Sequence, residues 1–237
     1  MTNYRVERAR DPQDLARRAA ETIAAQIDLA LDQRDRCQIA LSGGSTPANS
    51  YSLLGQERLP WDRVDVVLGD ERWVAAEDES SNAGMLRRTL LAPGPGASAS
   101  FHPVPTVELE SPEASAHAFA EQVSRLCSGV PPVFDVMLLG LGDDGHTASL
   151  FPGTDAPGVV DRWTTIGRGK GLDRITLTAP VLSAARQVIF LVSGAGKQEA
   201  LRRLLDPSES ADRTPARLVQ PASDVLILAD QDAAAGL

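Results

Sequence analysis

Short apolar runs recur along the chain and are separated by longer segments whose apolar residues have helical spacing. Most of these runs are apolar on both faces, which is typical of strands in a parallel sheet that helices cover on both sides. The predicted strands lie in CQIALSGG (37–44), VDVVLGDERWV (64–74), VFDVMLLGLG (133–142), RITLT (174–178), QVIFLV (187–192) and VLILAD (225–230).

The segments between these strands predict helices. Asp11 is a suitable N-cap for a helix over 11–34, and Pro12 suits its first turn. The other predicted helices cover 46–56, 81–91 and 111–129, a short segment between the two strands of the stretch 174–205, and the end of that stretch. The alternation predicts a doubly wound α/β fold, with a mostly parallel sheet and helices on both faces. We interpret the Pro- and Gly-rich stretch 92–105 as a surface loop, so residues 1–237 are expected to form a single domain.

Charge and composition narrow the choice of partners. The chain has 237 residues and a formal net charge of −9. A net negative field attracts neither nucleic acid nor an anionic membrane, so we expect neither as a partner, and any bound phosphate must be held by a local cluster of donors. The polar N-terminus does not resemble a signal peptide, and no apolar run approaches the ~20 residues that span a bilayer, so a cytoplasmic protein is expected. Cys37 and Cys127 have neither CxxC nor zinc spacing, which indicates reduced thiols.

Four polar turns follow predicted strands, at 42–47, 69–73, 140–147 and 193–197. In open parallel sheets, ligands bind beyond the carboxyl ends of the strands. We therefore expect the chemistry of this protein to lie in these four turns.

The first turn, LSGGSTP, has the features of an anion site. Gly43 and Gly44 let the backbone approach a ligand, while Ser42, Ser45 and Thr46 offer hydroxyl groups. The helix that begins near the end of the turn adds free N–H groups and the positive end of its dipole. The turn lacks the P-loop pattern, and an ordinary strand-to-helix connection is the alternative interpretation.

The second turn, GDERW, places Asp70, Glu71 and Arg72 at a strand end. Such charges are costly to bury, so they either pair with one another or face a ligand. Arg72 could hold an anion through its bidentate fork. A solvated carboxylate–arginine pair is the alternative.

The third turn, GLGDDGHTASLFPG (140–153), satisfies the dinucleotide fingerprint G-x-G-x-x-G. That fingerprint requires a regular helix after the turn, whereas Pro152 and Gly153 stop any helix after barely two turns. A histidine with an ordinary pKa of about 6.5 suits general acid–base work, so His146 is the candidate base. Asp143 or Asp144 could orient one of its ring nitrogens. The alternative is a histidine that only closes the turn.

The fourth turn, SGAGKQEAL, places Lys197 in the first turn of a helix, where the dipole disfavours a cation. A phosphate that contacts both the helix amides and the ammonium group would compensate for this. Arg174, at the start of RITLT, is a weaker candidate for the same role. A merely exposed lysine is the alternative.

Together these turns resemble those of the 6-phosphogluconolactonase family, within the group of sugar-phosphate isomerase-like folds that includes glucosamine-6-phosphate deaminases. The stretches that carry the resemblance are LSGGSTPANSYSLL, GDERWV, SNAGMLRRTLL, LLGLGDDGHTASLFPG, RITLTAPVLSAARQVIFLVSGAGKQEAL and PARLVQP. The deaminases share the SGGSTP-like turn, but GDERW and TASLFPG differ from their corresponding segments. KGLDRITLT departs from the family pattern because it lacks the prolines that often precede the arginine.

The resemblance implies hydrolysis of 6-phospho-D-glucono-1,5-lactone to 6-phosphogluconate, the second step of the oxidative pentose phosphate route. His146 would take a proton from the attacking water and return one to the ring oxygen. Arg72 or the amides near Gly44 would stabilise the oxyanion, and Asp70 and Asn82 would hold sugar hydroxyls or orient Arg72.

In the same interpretation the phosphate of the substrate is bound by residues 42–46, by Lys197 and by Arg174, and Asp143 also belongs to the substrate-binding set. No metal is expected, because the chain has no metal-ligand spacing. No cofactor is expected either. We expect a monomer or a weak homo-oligomer. The alternatives are a deaminase or isomerase on the same fold, and a non-catalytic sugar-phosphate-binding protein.

Overall fold

The structure, a computed structural model, describes residues 2–237. Its strands are β1 (Tyr4–Ala9), β2 (Cys37–Leu41), β3 (Val64–Leu68), β4 (Asp70–Arg72), β5 (Ser100–Phe101), β6 (Val136–Gly140), β7 (Thr164–Gly169), β8 (Leu172–Leu177), β9 (Gln187–Val192) and β10 (Val225–Asp230). Its α-helices are α1 (Pro12–Leu31), α2 (Ser45–Leu54), α3 (Asn82–Arg88), α4 (Pro112–Leu126), α5 (Ala179–Ala184) and α6 (Gln198–Leu205).

The main sheet is parallel and has seven strands in the order β1-β10-β9-β6-β2-β3-β5. The order runs outward from β2 in both directions, with β1 added at the edge beside β10, which confirms the doubly wound α/β fold. All five residues of β3 and all six of β10 are buried, as expected for strands covered on both faces. None of the helices described over residues 2–237 is long and apolar enough to cross a bilayer.

A second, antiparallel sheet of three strands, β4-β8-β7, was not expected. The prediction of one strand over 64–74 is wrong, because the chain leaves the main sheet at Gly69. The Gly69 N–H donates to the Leu41 carbonyl at 2.9 Å, while its own carbonyl accepts from the Leu177 N–H at 2.9 Å. Gly69 therefore joins the two sheets, and β4 continues into the smaller one.

The first predicted helix is confirmed with its cap. Asp11 Oδ1 accepts from the backbone N–H groups of Gln13 and Asp14 at 3.0 and 2.8 Å, and Pro12 is the first helical residue. β1 precedes this helix and was not predicted, because its sequence YRVERA is polar and the strand lies at the edge of the sheet.

The four polar segments predicted as turns meet at one edge of the main sheet, although residues 70–72 of the second segment form β4. They follow β2, β3, β6 and β9, which are consecutive neighbours in the order β9-β6-β2-β3 and run parallel. Their carboxyl ends therefore lie side by side. The direction of winding changes between β6 and β2, which is where open α/β sheets bind ligands.

Candidate active site

A cavity of about 290 Å³ opens at this edge of the sheet. Most of the predicted site residues line this cavity: Ser42, Gly43, Gly44, Ser45, Thr46, Asp70, Arg72, Asn82, His146, Arg174 and Lys197. Its other lining residues are Pro47, Gly140, Leu141, Gly142, Ala148, Lys170, Leu191 and Ser193. Asp143 is outside this set, since its carboxylate is exposed and lies 3.9 Å from Lys170 Nζ. The placement of Asp143 among the substrate-binding residues therefore stays a prediction.

The first turn is shaped by close packing against α3. A Cβ atom on Gly43 would lie 1.9 Å from Asn82 Oδ1, so only glycine fits there. Gly44 has a φ of 115°, a conformation that favours glycine, and α2 begins at the next residue. The buried hydroxyl of Ser42 has no hydrogen-bond partner within residues 2–237. Free amides at a helix start and an unpaired hydroxyl together suit an anion.

His146 is held by Asp144. The His146 Nδ1 lies 2.5 Å from Asp144 Oδ1, and the same oxygen accepts the His146 backbone N–H at 3.0 Å. Two bonds to one oxygen fix both the ring and its backbone, so the choice between Asp143 and Asp144 falls on Asp144. The ring is mostly buried and packs on Phe151, with 4.5 Å between the ring centroids.

Burial and pairing act in opposite directions on the His146 imidazole. Burial lowers its pKa, the hydrogen bond and charge of Asp144 raise it, and the net pKa lies below the ordinary value. Burial raises the pKa of Asp144, but the hydrogen bonds from His146 outweigh it and leave that pKa lowered. At neutral pH the pair is therefore a neutral imidazole beside a carboxylate, which is the state that a general base needs.

Two positions of the turn that carries His146 have no room for a side chain. A Cβ on Gly142 would lie 2.0 Å from His146 Nδ1, and Gly145 has a φ of 90°. Behind the turn, the buried Arg203 of α6 donates to the Asp143 carbonyl at 3.1 Å. The residues after the turn form an isolated bridge between Thr147 and Leu150 rather than a helix, so the geometry of a dinucleotide fingerprint is absent from this part of the chain.

Two guanidinium groups form one wall of the cavity. Arg72 and Arg174 are directly paired across β4 and β8. Arg72 Nη1 donates to the Ser80 carbonyl and, at 2.5 Å, to Asn82 Oδ1. The buried Nε atom of each arginine lacks a partner within residues 2–237. Adjacent cations with spare donors are suited to an anionic or hydroxyl-rich ligand.

The acidic residues of the second turn are buried and have separate tasks, so the alternative of a solvated pair is wrong. Asp70 Oδ2 accepts from Ser149 Oγ at 2.5 Å and lies 3.8 Å from Arg174 Nη1. Glu71 accepts the N–H groups of Asn82 and Ala83 at the start of α3, at 2.8 and 2.7 Å. Burial raises the pKa of Glu71 despite these bonds. Ser81 is the N-cap of α3, and Glu71 supplements it rather than lining the cavity.

The fourth turn is held by hydrogen bonds to the end of the neighbouring strand, β10. Asp230, at the end of β10, accepts from Ser193 Oγ at 2.5 Å and from the Gly194 N–H at 3.0 Å. Lys197 then lies immediately before α6 and lines the cavity. Sequence reasoning missed Lys170, which reaches the same cavity from the turn between β7 and β8. Its only sequence signal is a lysine between two glycines, RGKG.

Residues 10–228 match the family described as "Glucosamine-6-phosphate isomerases/6-phosphogluconolactonase". A curated relative, the 6-phosphogluconolactonase of Synechocystis sp., is 41% identical over 228 residues, which are 95% of each chain. The 6-phosphogluconolactonase of Nostoc sp. is 40% identical over 235 residues, 98% of each chain.

Solved structures show the same similarity. The structure of 6-phosphogluconolactonase from Trypanosoma brucei has a TM-score of 0.87 at 28% identity and covers 100% of both chains. A monomeric glucosamine-6-phosphate deaminase has a TM-score of 0.79 and covers 97% of this chain and 98% of its own. Its identity to this chain is 21%, so this second similarity concerns the fold.

Proposed function

This chain belongs to the family of glucosamine-6-phosphate isomerases and 6-phosphogluconolactonases, and on that premise we propose that it hydrolyses 6-phospho-D-glucono-1,5-lactone to 6-phosphogluconate. This reaction is a step of the pentose phosphate pathway. The lactonases of Synechocystis and Nostoc, at 41% and 40% identity over nearly the whole chain, support this activity rather than that of the isomerases.

The phosphate of the substrate acts as a handle in this proposal. It binds to the turn 42–46 and to Lys197, with Arg174 as a further cationic contact. Support comes from the start of α2 and from Ser42, whose buried hydroxyl has no partner within residues 2–237; both belong to the lining of the cavity that Lys197 also lines. Holding one end of the sugar in this way places its other end beside His146, and such positioning accounts for a large share of many rate enhancements.

The opposite end of the cavity carries out the chemistry. His146, neutral and oriented by Asp144, takes a proton from water as the water oxygen bonds to C1. The carbonyl electrons move to the C1 oxygen, and the tetrahedral intermediate then collapses. The bond from C1 to the ring oxygen breaks, and His146 returns the proton to that oxygen. Acid–base assistance of this kind contributes ~10²–10⁴-fold.

The remaining polar groups of the cavity orient the sugar. Asn82 accepts a hydrogen bond from Arg72 through Oδ1 and donates one from Nδ2 to the Asp70 carbonyl at 2.9 Å. Asp70 is buried between Ser149 and Arg174. In the proposal these groups hold sugar hydroxyls, and Arg72 is a candidate for stabilising the oxyanion.

The observation that carries the proposal is that the His146–Asp144 pair and the anion turn open into one cavity of about 290 Å³. His146→Ala tests it, with His117→Ala as the matched control because the His117 side chain is 80% exposed on α4. Loss of freshly generated lactone is followed after subtraction of the uncatalysed rate. We expect His146→Ala to lose at least 100-fold in kcat and to retain 6-phosphogluconate binding.

Near-normal turnover by His146→Ala would remove this residue from the mechanism. Wild-type protein that releases ammonia from glucosamine 6-phosphate, and leaves the lactone untouched, would replace the lactonase with the deaminase alternative.

A further inference from the structure

The hairpin formed by β7 and β8 is seated on the segment that carries His146. A Cβ atom on Gly169 would lie 2.6 Å from Phe151 Cδ2, and one on Gly167 would lie 2.3 Å from the Ser149 carbonyl oxygen. Phe151 in turn packs on the ring of His146. These two close approaches fix the tip of the hairpin beside the imidazole.

Lys170 and Gly171 form the two-residue turn of this hairpin, between the paired residues Gly169 and Leu172. Both have positive φ values, 56° and 79°. Such hairpin turns favour Asn, Asp and Gly, because other side chains are disfavoured in the left-handed conformation. The turn itself therefore gives no reason for a lysine at position 170.

The Lys170 ammonium group is available to a ligand. Lys170 lines the cavity, and its Nζ lies 3.9 Å from a carboxylate oxygen of Asp143, with both side chains more than half exposed. Exposed pairs at this distance are weak. Lys170 also lies close enough to affect His146, since burial is the main cause of the lowered pKa of the imidazole and the charge of Lys170 adds to it.

Lactone hydrolysis creates negative charge next to His146. Attack by water moves the carbonyl electrons onto the C1 oxygen, and breaking of the bond between C1 and the ring oxygen leaves a carboxylic acid that ionises to a carboxylate. Lys197 belongs to the turn before α6, whereas Lys170 belongs to the hairpin seated against Phe151 and His146. The two lysines therefore reach the cavity from different elements.

We propose that Lys170 is a catalytic residue whose ammonium group stabilises the negative charge on C1, first on the oxyanion and then on the product carboxylate. The inference rests on the proposed lactonase activity. A cation beside a developing oxyanion stabilises the transition state, and removal of one oxyanion donor typically costs ~10²–10³-fold in kcat.

Three variants test the role. Lys170→Asn removes the charge and suits the left-handed turn, so folding is retained. Lys170→Arg restores a cation. Arg168→Asn is the matched control, because Arg168 lies on the same hairpin, is 69% exposed and has its nearest acidic partner, Asp173, outside the cavity lining.

The kinetic readout is kcat for freshly generated lactone. We expect Lys170→Asn to lose ~30- to 1000-fold in kcat, Lys170→Arg to recover most of it, and Arg168→Asn to stay within about twofold of wild type. Wild-type kcat in Lys170→Asn, or an equal loss in Arg168→Asn, would overturn the inference.

Two inhibitors locate the contact. 6-Phosphogluconate carries the C1 carboxylate, and glucitol 6-phosphate carries a neutral hydroxymethyl group in its place. We expect Lys170→Asn to weaken inhibition by 6-phosphogluconate about tenfold and to leave glucitol 6-phosphate unchanged. Equal weakening of both would place Lys170 at the phosphate end and contradict the proposal.

The pH profile adds a signature that a merely structural role would not produce. The charged groups that act on His146 are Asp144, Lys170 and Asp70. Loss of a positive charge favours the imidazolium, so the acid limb of kcat/KM moves to higher pH in Lys170→Asn and returns in Lys170→Arg. An unmoved limb would count against the role. If wild-type protein does not hydrolyse the lactone, the proposed function is wrong. If wild-type protein hydrolyses it and Lys170→Asn does so equally fast, only the role of Lys170 is wrong.

Discussion

Replacing Asp144 by asparagine separates the two tasks that this carboxylate performs. Asp144 orients the His146 ring through Nδ1, and its charge stabilises the imidazolium that forms as water is deprotonated. Both hydrogen bonds from His146 converge on the same oxygen, Oδ1, at 2.5 and 3.0 Å. An asparagine carbonyl oxygen can accept the same two bonds. The substitution therefore keeps the orientation and removes the charge.

The expected loss follows from this geometry. A hydrogen bond to a charged group contributes about 1.5–3 kcal/mol and a neutral one about 0.5–1.5 kcal/mol, so the charge accounts for roughly 1–2 kcal/mol. Since about 1.4 kcal/mol corresponds to a factor of ten, we expect kcat to fall by ~5- to 30-fold in Asp144→Asn. Asp144→Ala also loses the orientation, so its kcat is expected to fall further, by ~100-fold or more, toward the loss expected for His146→Ala.

The assay is the rate of lactone opening above the uncatalysed background, measured as a function of pH. Asp144 raises the pKa of His146 against the lowering by burial. Removing its charge lowers that pKa further, so the acid limb of kcat/KM moves to lower pH. Asp143→Asn makes the same charge change at the neighbouring carboxylate, which is 71% exposed, lies outside the cavity lining and pairs only weakly with Lys170 at 3.9 Å. Equal losses in Asp143→Asn and Asp144→Asn would refute the assignment.

Two further substitutions test the support of the site. Gly142→Ala places a Cβ 2.0 Å from His146 Nδ1, so the ring must move. We expect kcat to fall ~100-fold and inhibition by inorganic phosphate to stay unchanged. Gly158→Ala is the control, because a Cβ there meets no atom within 4 Å, and equal rates in the two variants would contradict the expectation. Glu71→Gln places an amide N–H opposite the Ala83 N–H, so one hydrogen bond at the start of α3 is lost. We expect urea denaturation to show a loss of ~1–3 kcal/mol in the free energy of unfolding. An unchanged free energy of unfolding would exclude a stabilising role for Glu71 at the start of α3.

The main sheet was predictable from the sequence because its central strands are buried on both faces. VLILAD, for example, forms β10 with the predicted bounds, 225–230. The position of the polar turns followed from the same pattern, since parallel neighbouring strands end at one edge. The proximity of the first turn, the His146 turn and Lys197 was therefore predictable without any tertiary contact being known.

The smaller sheet was not predictable by the same reasoning. β7, TTIGRG, has no apolar run, and its glycines are explained only by the atoms of Ser149 and Phe151 that they approach. Lys170 was missed for this reason. The choice between Asp143 and Asp144 also depends on backbone geometry, because adjacent residues in a tight turn point in different directions.

The most direct test of the account is a crystal structure of the protein with 6-phosphogluconate. We predict that the phosphate lies against the amides of residues 43–46 and Lys197 Nζ, with the C1 carboxylate within about 3.5 Å of His146 Nε2. A ligand whose phosphate lies beside His146, or which leaves the turn 42–46 empty, would contradict the claim that the anion site and the general base act on opposite ends of one substrate.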